Sequence, residues 1–498
     1  MRTLSSAIEW WSKDTPDTPA LVLAGEALTY GDYRDWADRI ASKLVTLGVR
    51  RGDRVGISAS NSLEYCALIM GVIRAAGIVV PLNIRYTAHE MNEILGDTTP
   101  VIVVCDQDRS ERFAGLGVAL LDMAEITALR RGALAELDLE LDPEAPVVII
   151  STSGSTAKPK GVMFSHRTML NYVNGFSLED TTCSKGARVI SPAPLSTSAG
   201  FVQLIHYTTT GCTVYLESAF DPEVFLRILT TEKINAFGAV PLFFERIAAC
   251  PGFAEADLSS LQFTTTGGAR VSSALQEKWL TKGIVLRQIY GQTECGGNAT
   301  IMPKSLAVAH PDKCGRGGIF SEIAVIDADG RRCPPGQTGE IILRGPGHML
   351  GYWNNPEATA AAIQDGWLHT GDLGVLDENG LLTFVDRLKD IIISGGLNIS
   401  AAEVERAISD YEGVEEVMVI AASDARFGET PLAVIFANSP IVVTELINHC
   451  NARLADYKVP RYVVVETEPL PRLATGKLSK PAVRQKYKEA AATLTRVR

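Results

Sequence analysis

Through its first 290 residues the chain alternates short apolar runs with longer segments in which apolar residues recur at helical spacing. The helix-like segments YGDYRDWADRIASKLVTLGV (30–49) and SLEYCALIMGVIRAAG (62–77) are followed by the apolar runs DRVGISA (53–59) and IVVPL (78–82). Strands that alternate with helices form largely parallel sheets covered by helices. The alternation therefore predicts an α/β fold for most of the chain.

The pattern changes near residue 318. The segments EIAVIDADGRRCPPGQTGEIILRG (322–345) and GVLDENGLLTFVDR (374–387) carry short β runs between Gly, Pro and Asp turns, which indicates a β subdomain. Helix-like and strand-like segments then alternate again over the length of a small domain. We predict two domains, residues 1–388 and a smaller α+β domain of residues 389–498.

Length, charge and cysteine content narrow the classes of function. The chain has 498 residues and a net charge of −11, which argues against a nucleic-acid partner held by a basic surface. Nine cysteines without a C-x-x-C pair predict free thiols in a reducing compartment. The N-terminal residues do not resemble a signal peptide, and no apolar run has comfortable membrane-spanning length, so we expect a cytoplasmic location. The oligomeric state, monomer or homodimer, stays open.

One loop combines hydroxyl groups, glycines and lysines. The apolar run VVII (147–150) leads directly into STSGSTAKPKG (151–161). Backbone N–H groups and hydroxyls in such a turn can surround phosphate oxygens, and lysine adds positive charge. The loop lacks the Walker-type spacing, and taken alone it is equally consistent with a phosphate loop and an ordinary surface loop.

Five further motifs follow this loop in order: YGQTE (290–294), GEIILRGPGHMLGYW (339–353), HTGDL (369–373), DRLKDIIISGG (386–396) and PRLATGK (471–477). Together with the loop they resemble the adenylate-forming superfamily of acyl-CoA synthetases, firefly luciferases and peptide-synthetase adenylation domains. The resemblance spans nearly the whole chain. It implies the fold of that superfamily, with a mobile C-terminal domain, and an AMP-forming carboxylic acid–CoA ligase that uses ATP, Mg²⁺ and coenzyme A.

The resemblance also implies residue roles in the first step, in which a carboxylate attacks the α-phosphate of ATP. Lys477 would contact both the carboxylate and the α-phosphate, Thr293 would bind the α-phosphate, and Glu294 would bind Mg²⁺. Asp372 would accept hydrogen bonds from the ribose hydroxyls. The other implied ATP contacts are Thr152, Ser153, Gly154, Ser155, Thr156, Lys160, Gly268, Ala269, Arg270, Tyr290, Gly291, Gln292 and Arg387. Ala157 departs from the glycine that is usual in the loop.

In the second step a thiol attacks the acyl carbon and expels AMP. The resemblance implies that the C-terminal domain rotates about a hinge at Lys389 between the two steps. Gly395 and Gly396 would then allow the thiol to pass close to the backbone.

The motifs say less about the acid. The segment PLSTSAG (194–200) has Ser196 and Thr197 where the family usually has an aromatic residue and a histidine, and it has no acidic residue to bind an amino group. Ile289, before Tyr290, is not the arginine that would suit a second carboxylate. These observations favour a fatty acid of medium or long chain, or a bulky alicyclic or aromatic acid. The positions predicted for its pocket are Thr197, Ser198, Phe201, Cys295 and Gly296.

The expected partners are thus a small carboxylic acid, ATP and coenzyme A. We expect coenzyme A as the acceptor because few residues follow Lys477 and no Asp-Ser-Leu attachment site for pantetheine is present. The alternatives are an enzyme that adenylates an acid and loads a separate carrier protein, a luciferase-type oxidative enzyme, and a non-catalytic homologue. The presence of Lys160, Glu294, Asp372 and Lys477 argues against the last of these.

Overall fold

The computed structural model describes residues 3–133, 139–152, 159–269, 271–424, 426–473, 476–488 and 493–497. The α-helices are α1 (Leu4–Asp14), α2 (Tyr30–Thr46), α3 (Leu63–Arg74), α4 (Ala88–Thr98), α5 (Met123–Ala128), α6 (His166–Glu179), α7 (Ser198–Thr209), α8 (Pro222–Thr231), α9 (Pro241–Ala248), α10 (Ser273–Leu280), α11 (Lys304–Ala307), α12 (Pro356–Ala362), α13 (Ala401–Ser409), α14 (Val443–Asn451) and α15 (Lys480–Lys486).

The strands are β1 (Pro19–Leu23), β2 (Glu26–Thr29), β3 (Arg54–Ser58), β4 (Ile78–Pro81), β5 (Ile102–Cys105), β6 (Ala119–Asp122), β7 (Pro146–Thr152), β8 (Lys160–Ser165), β9 (Arg188–Ser191), β10 (Thr213–Leu216), β11 (Ala236–Ala239), β12 (Phe263–Gly267), β13 (Arg287–Tyr290), β14 (Thr300–Ile301), β15 (Arg316–Gly317), β16 (Glu322–Ile326), β17 (Thr338–Arg344), β18 (Gly351–Tyr352), β19 (Ile363–Gln364), β20 (Trp367–Leu376), β21 (Leu382–Arg387), β22 (Ile392–Ser394), β23 (Leu397–Ile399), β24 (Val414–Asp424), β25 (Gly428–Ala437) and β26 (Tyr462–Glu466).

Local sequence explains where the helices begin and which face they bury. Helix α2 begins after Thr29, whose side chain accepts the backbone N–H of Asp32, and its apolar residues at helical spacing are buried, among them Trp36 and Ile40. Helix α6 begins after Ser165, which forms a reciprocal capping box with Thr168. Capping residues thus fix helix starts that the periodicity alone leaves uncertain by a few residues.

A nine-stranded sheet has the order β15-β14-β13-β12-β11-β9-β10-β1-β2. Its six central strands, from β13 to β1, are parallel to one another, and antiparallel pairs lie only toward the two edges. Because parallel strands end at the same edge of a sheet, the segments after Ser191, Ala239, Gly267 and Tyr290 meet there. This edge carries many of the predicted site residues.

A seven-stranded sheet has the order β18-β8-β7-β4-β3-β5-β6, in which β7, β4, β3, β5 and β6 pair in parallel. Strands β7 and β8 form an antiparallel pair with Thr152 opposite Lys160, and β18 continues the sheet beside β8. The α/β architecture with largely parallel sheets is therefore confirmed.

Two five-stranded sheets follow. One has the order β16-β17-β20-β19 with β21 beside β20, as expected for the β subdomain. The other has the order β23-β22-β25-β24 with β26 parallel to β25. Helices α13 and α14 contribute Val404 and Leu446 to the hydrophobic core of this second sheet, so the tail has a core of its own.

The chain divides into two compact units. Unit 1 comprises Met1–Ala324, Ile342–Thr370 and Asn379–Leu382, and unit 2 comprises Val325–Ile341, Gly371–Glu378 and Thr383–Arg498. The domain division at residue 389 and the hinge stay predictions. No helix in the described ranges is both long and apolar enough to cross a bilayer.

Candidate active site

In unit 1 the predicted phosphate loop connects two paired strands. The Thr152 hydroxyl at the end of β7 donates to the backbone oxygen of Lys160 at the start of β8, at 3.3 Å. The loop residues Ser153, Gly154, Ser155 and Thr156 lie outside the described residues. This hydrogen bond joins the two ends of the loop, while its contacts with phosphate stay a prediction.

A tyrosine that the sequence analysis did not assign joins two predicted site residues. The Tyr352 hydroxyl donates to Glu294 Oε1 at 2.9 Å, and Lys160 Nζ lies 4.8 Å from the centre of the Tyr352 ring. Burial raises the pKa of Tyr352 most, and the negative charge of Glu294 raises it further. The hydroxyl therefore stays protonated and remains a donor. Tyr352 therefore orients the Glu294 carboxylate through Oε1.

Tyr352→Phe should reduce the adenylation rate about 10-fold, because a partner that orients a metal-binding carboxylate is lost while the ring under Lys160 is kept. Pyrophosphate release at several Mg²⁺ concentrations measures this effect. We expect the concentration of Mg²⁺ that gives half the maximal rate to rise. An unchanged Mg²⁺ dependence would rule out the orienting role.

The segment from Tyr290 to Gly297 folds tightly on itself. A Cβ on Gly291 would lie 1.9 Å from the backbone oxygen of Gly297, so only glycine fits at position 291. Residues Thr293–Cys295 form a 3₁₀ turn, and the backbone N–H of Met349 donates to the backbone carbonyl oxygen of Glu294 at 2.8 Å. These contacts hold Thr293 and Glu294 at the carboxyl end of β13.

Two buried polar atoms at this edge of the sheet have no hydrogen-bond partner among the described residues: Thr266 Oγ1 and Gln292 Nε2. Gly268 and Ala269, which follow β12, are exposed, and Gly268 has a φ of +76°. Unpartnered polar atoms beside an open backbone turn fit a ligand rich in donors and acceptors, as a nucleotide is. Arg270 lies outside the described residues.

The donor set also fits Mg²⁺. The ion prefers oxygen ligands and is commonly held by one or two carboxylates together with substrate phosphates. Glu294 supplies such a carboxylate, and the described residues contain no cluster of three potential ligands that would hold a metal by themselves. The carboxylate of Glu294 suits this cation, and its role as the Mg²⁺ ligand stays a prediction.

In unit 2 three predicted residues form a charged group. Asp372 lies in β20 and is buried, and its Oδ1 is 3.5 Å from Nε of the half-exposed Arg387. The Lys477 side chain retains solvent contact. The surrounding protein lowers the pKa of its ammonium group most, and the positive charge of Arg387 lowers it further. The negative charge of Asp372 partly opposes this shift. The structure therefore brings Asp372, Arg387 and Lys477 into electrostatic contact.

Three charged side chains lie around Asp390, the residue after Lys389. The buried Asp390 accepts from Arg484 at 2.7 Å and lies 3.8 Å from Lys480, which pairs with Glu405 at 2.9 Å. Arg484 also donates to the Lys389 backbone oxygen at 3.4 Å. Helix α15 thus clamps Asp390, and no local sequence pattern indicates this clamp.

Gly395 and Gly396 have φ values of +58° and +82° and form the two-residue turn between β22 and β23. Both residues of such a turn need positive φ, so the hairpin alone accounts for both glycines. Their role along the path of the thiol stays a prediction.

The predicted acyl positions fall into two sets. Thr197 caps α7, and its hydroxyl donates to the Pro194 oxygen at 2.7 Å; Ser198 begins that helix and Phe201 is fully buried. Cys295 and Gly296 lie at a pocket beside α6, with Cys295 in its lining and Gly296 packed against the Tyr172 ring. The structure brings the second set to an open pocket and places Phe201 in the core.

Nearly the whole chain is similar to known proteins. A family profile described as AMP-binding enzyme matches residues 8–353, and one described as AMP-binding enzyme C-terminal domain matches residues 403–477. The chain is 36% identical to a feruloyl-CoA synthase from Amycolatopsis sp, over 95% of this chain and 96% of the relative. It is 31% identical to a long-chain-fatty-acid–CoA ligase from Mycobacterium tuberculosis, over 92% and 93%.

A solved structure of O-succinylbenzoate coenzyme A synthetase from Bacillus subtilis, in complex with ATP and magnesium ion, is also similar. It superposes with a TM-score of 0.88 at 29% identity, covering 95% of this chain and 98% of that chain.

Proposed function

The chain belongs to the AMP-binding enzyme family, in its acyl-CoA synthetase branch, and from this premise we propose that it activates an apolar carboxylic acid. It is an acid–CoA ligase that uses ATP, Mg²⁺ and coenzyme A. The finer proposal concerns the acid, the roles of individual residues and the movement between the two steps.

In the proposed first step a carboxylate oxygen of the acid attacks the α-phosphorus, and the bond to the leaving pyrophosphate breaks. Lys477 holds the carboxylate and the α-phosphate together while negative charge builds up there. Asp372 accepts hydrogen bonds from the ribose hydroxyls, and Arg387 lies beside it. Glu294, oriented by Tyr352, would hold Mg²⁺, and the bound cation would neutralise charge on the phosphates.

In the second step the thiol sulfur of coenzyme A attacks the acyl carbon, and the bond to the phosphate oxygen of AMP breaks. The thiol proton leaves to solvent, and AMP departs with the electron pair.

The observation that supports an apolar acid is the lining of the pocket beside α6. Among its lining residues, Phe176, Ile301 and Phe320 contribute apolar surface. None of its described lining residues is a lysine or arginine, so a second carboxylate would find no cation there. An uncharged chain or ring is the chemistry that this lining accepts.

A panel of acids tests the proposal. Pyrophosphate release should be fast with long-chain, alicyclic and aromatic acids and slow with amino acids and short dicarboxylic acids, and AMP should accumulate only when coenzyme A is added. If a holo-carrier protein replaces coenzyme A without loss of rate, the enzyme loads a carrier protein instead. Equal rates with dicarboxylic acids would contradict the apolar pocket.

The hinge at Lys389 gives a further prediction. Lys389→Pro should slow the complete reaction about 10-fold or more, because proline fixes φ and restricts the preceding residue as well. Lys389→Ala is the matched control, since it removes the same side chain and keeps φ free. The two half-reactions are measured separately, as pyrophosphate release and as thioester formation from supplied acyl-adenylate. If the proline variant keeps wild-type rates in both, Lys389 is not the hinge.

A further inference from the structure

Lys477 lies in a tight turn of unit 2. Arg472 and Leu478 form an antiparallel bridge on the two sides of this turn, and the backbone N–H of Leu473 donates to the Lys477 oxygen at 2.7 Å. The backbone N–H of Gly476 donates to the Leu473 oxygen at 2.8 Å. Gly476 has a φ of +86°, a backbone conformation that favours glycine. The position of Lys477 thus depends on the path of this turn.

The two sides of the turn are anchored in a hydrophobic core. Leu470 is buried in the cluster that contains Met418 and Ile420 of β24, and Leu478 packs against the same cluster. Apolar contacts of this kind fix where the turn begins and ends, but they have no preferred direction. The orientation of a peptide group within the turn needs directional contacts, which hydrogen bonds supply.

One arginine ties the turn to strand β24. Arg472 Nη1 donates to the backbone oxygen of Gly476, the residue directly before Lys477, at 2.8 Å. Arg472 Nη2 forms an ion pair with Glu416 Oε1, and Glu416 Oε2 accepts the backbone N–H of Leu470 at 2.8 Å. The Glu416 side chain is only 15% exposed, so salt screens this pair less than a pair on the open surface.

The shape of the guanidinium explains how one side chain can make both contacts. Its nitrogens lie in one rigid plane, so a carboxylate that holds one of them also fixes the direction of the others. A hydrogen bond from a charged donor is also stronger than one between neutral groups. Arg472 therefore restrains the peptide group between Gly476 and Lys477, and with it the direction in which the lysine side chain leaves the backbone.

We propose that Arg472 is a positioning residue for acyl-adenylate formation: held by Glu416, it fixes the peptide group before Lys477 so that the ammonium group meets the carboxylate and the α-phosphate. This inference rests on the proposed function, because it assumes the role given to Lys477. Arg472 acts through Lys477 and not on the reacting atoms. The step that uses Lys477 should therefore depend on Arg472, whereas thioester formation should not.

Arg472→Ala tests this dependence. We expect pyrophosphate release to slow about 10- to 100-fold, because a small displacement of a group that stabilises the transition state is costly. The loss should appear in kcat, with the KM for ATP unchanged. Thioester formation from supplied acyl-adenylate should stay close to the wild-type rate, which also shows that unit 2 is folded. Arg406→Ala removes an exposed arginine of α13 in the same unit and is the matched control, which should keep both rates.

Wild-type pyrophosphate release by Arg472→Ala would overturn the inference. Equal losses in both half-reactions would overturn it as well, since Arg472 would then support the fold of the whole unit. Arg472→Lys keeps the positive charge without the planar fork, so most of the loss should remain. A wild-type rate in this variant would show that charge alone is enough and that the bridge to Gly476 has no role.

A double-mutant cycle separates an effect through Lys477 from an independent one. If Arg472 acts only through Lys477, Arg472→Ala should cause no further loss of adenylation in an enzyme that already carries Lys477→Ala. Losses that multiply in the double variant would contradict the inference. If Lys477→Ala alone keeps the wild-type adenylation rate, the role of Lys477 in the proposed function is wrong, and this outcome is distinct from a failure of Arg472 alone.

Discussion

Lys477→Ala is expected to reduce acyl-adenylate formation roughly 100- to 1,000-fold, the effect typical of removing one group that stabilises charge in a transition state. The lysine brings its positive charge to the attacking carboxylate and the α-phosphate, whose negative charges otherwise repel each other. Thioester formation from supplied acyl-adenylate should be much less affected, because that step needs no contact between a carboxylate and ATP. Pyrophosphate release and acyl-CoA formation measure the two steps separately.

Two further variants make this test specific. Lys488→Ala removes an exposed lysine from the same unit and should keep both rates. Lys477→Arg keeps a positive charge that does not titrate in the accessible pH range. Because the surrounding protein and Arg387 lower the pKa of Lys477, its ammonium form is present below that pKa and is lost as pH rises through it. The adenylation rate of the wild-type enzyme should therefore fall at high pH, and the fall should be absent in Lys477→Arg. Equal losses in both half-reactions of Lys477→Ala would contradict the assigned role.

Glu294→Gln is expected to reduce adenylation about 100-fold, because the cation that neutralises the phosphates loses its carboxylate. The amide keeps the size of the side chain and an oxygen that can still accept from Tyr352, so the local packing is retained. Raising the Mg²⁺ concentration should restore part of the rate. Pyrophosphate release over a series of Mg²⁺ concentrations separates weaker binding of the cation from loss of the chemical step.

The control for this variant is Glu357→Gln, which removes an exposed carboxylate in the first turn of α12. It should keep the wild-type rate and Mg²⁺ dependence. A Glu294→Gln enzyme with the Mg²⁺ dependence of the wild type would show that another group holds the cation.

The sequence allowed the fold class and the order of most elements to be predicted, because buried strands and amphipathic helices have different periodicities. The family resemblance implied nucleotide contacts for Asp372 and for Arg387. The structure places Asp372 Oδ1 3.5 Å from Arg387 Nε, and their contacts with a nucleotide stay predictions. The regular strand β20 around Asp372 could not be distinguished from a turn by its residues alone, since HTGDL contains both a glycine and an aspartate.

Contacts between distant segments were the part that the sequence could not predict. Tyr352 reaches Glu294 and Lys160 only because β18 pairs with β8, with Tyr352 opposite Val162, and no local pattern indicates a pairing across 190 positions. The face of α6 that lines the pocket, with Tyr172 and Phe176, could not be predicted either, because periodicity shows which residues share a face and not what that face contacts.

The clamp around Asp390 has a mechanical consequence if Lys389 is the hinge. Arg484 and Lys480 tie Asp390 to α15, so the backbone immediately beyond the hinge is stiff. Bending is then confined to the backbone torsion angles at Lys389. A small change in these angles moves the residues farthest from Lys389 over a long distance. Loosening the ion pairs at Asp390 would spread the bending over several residues, so that Lys477 would be positioned less accurately.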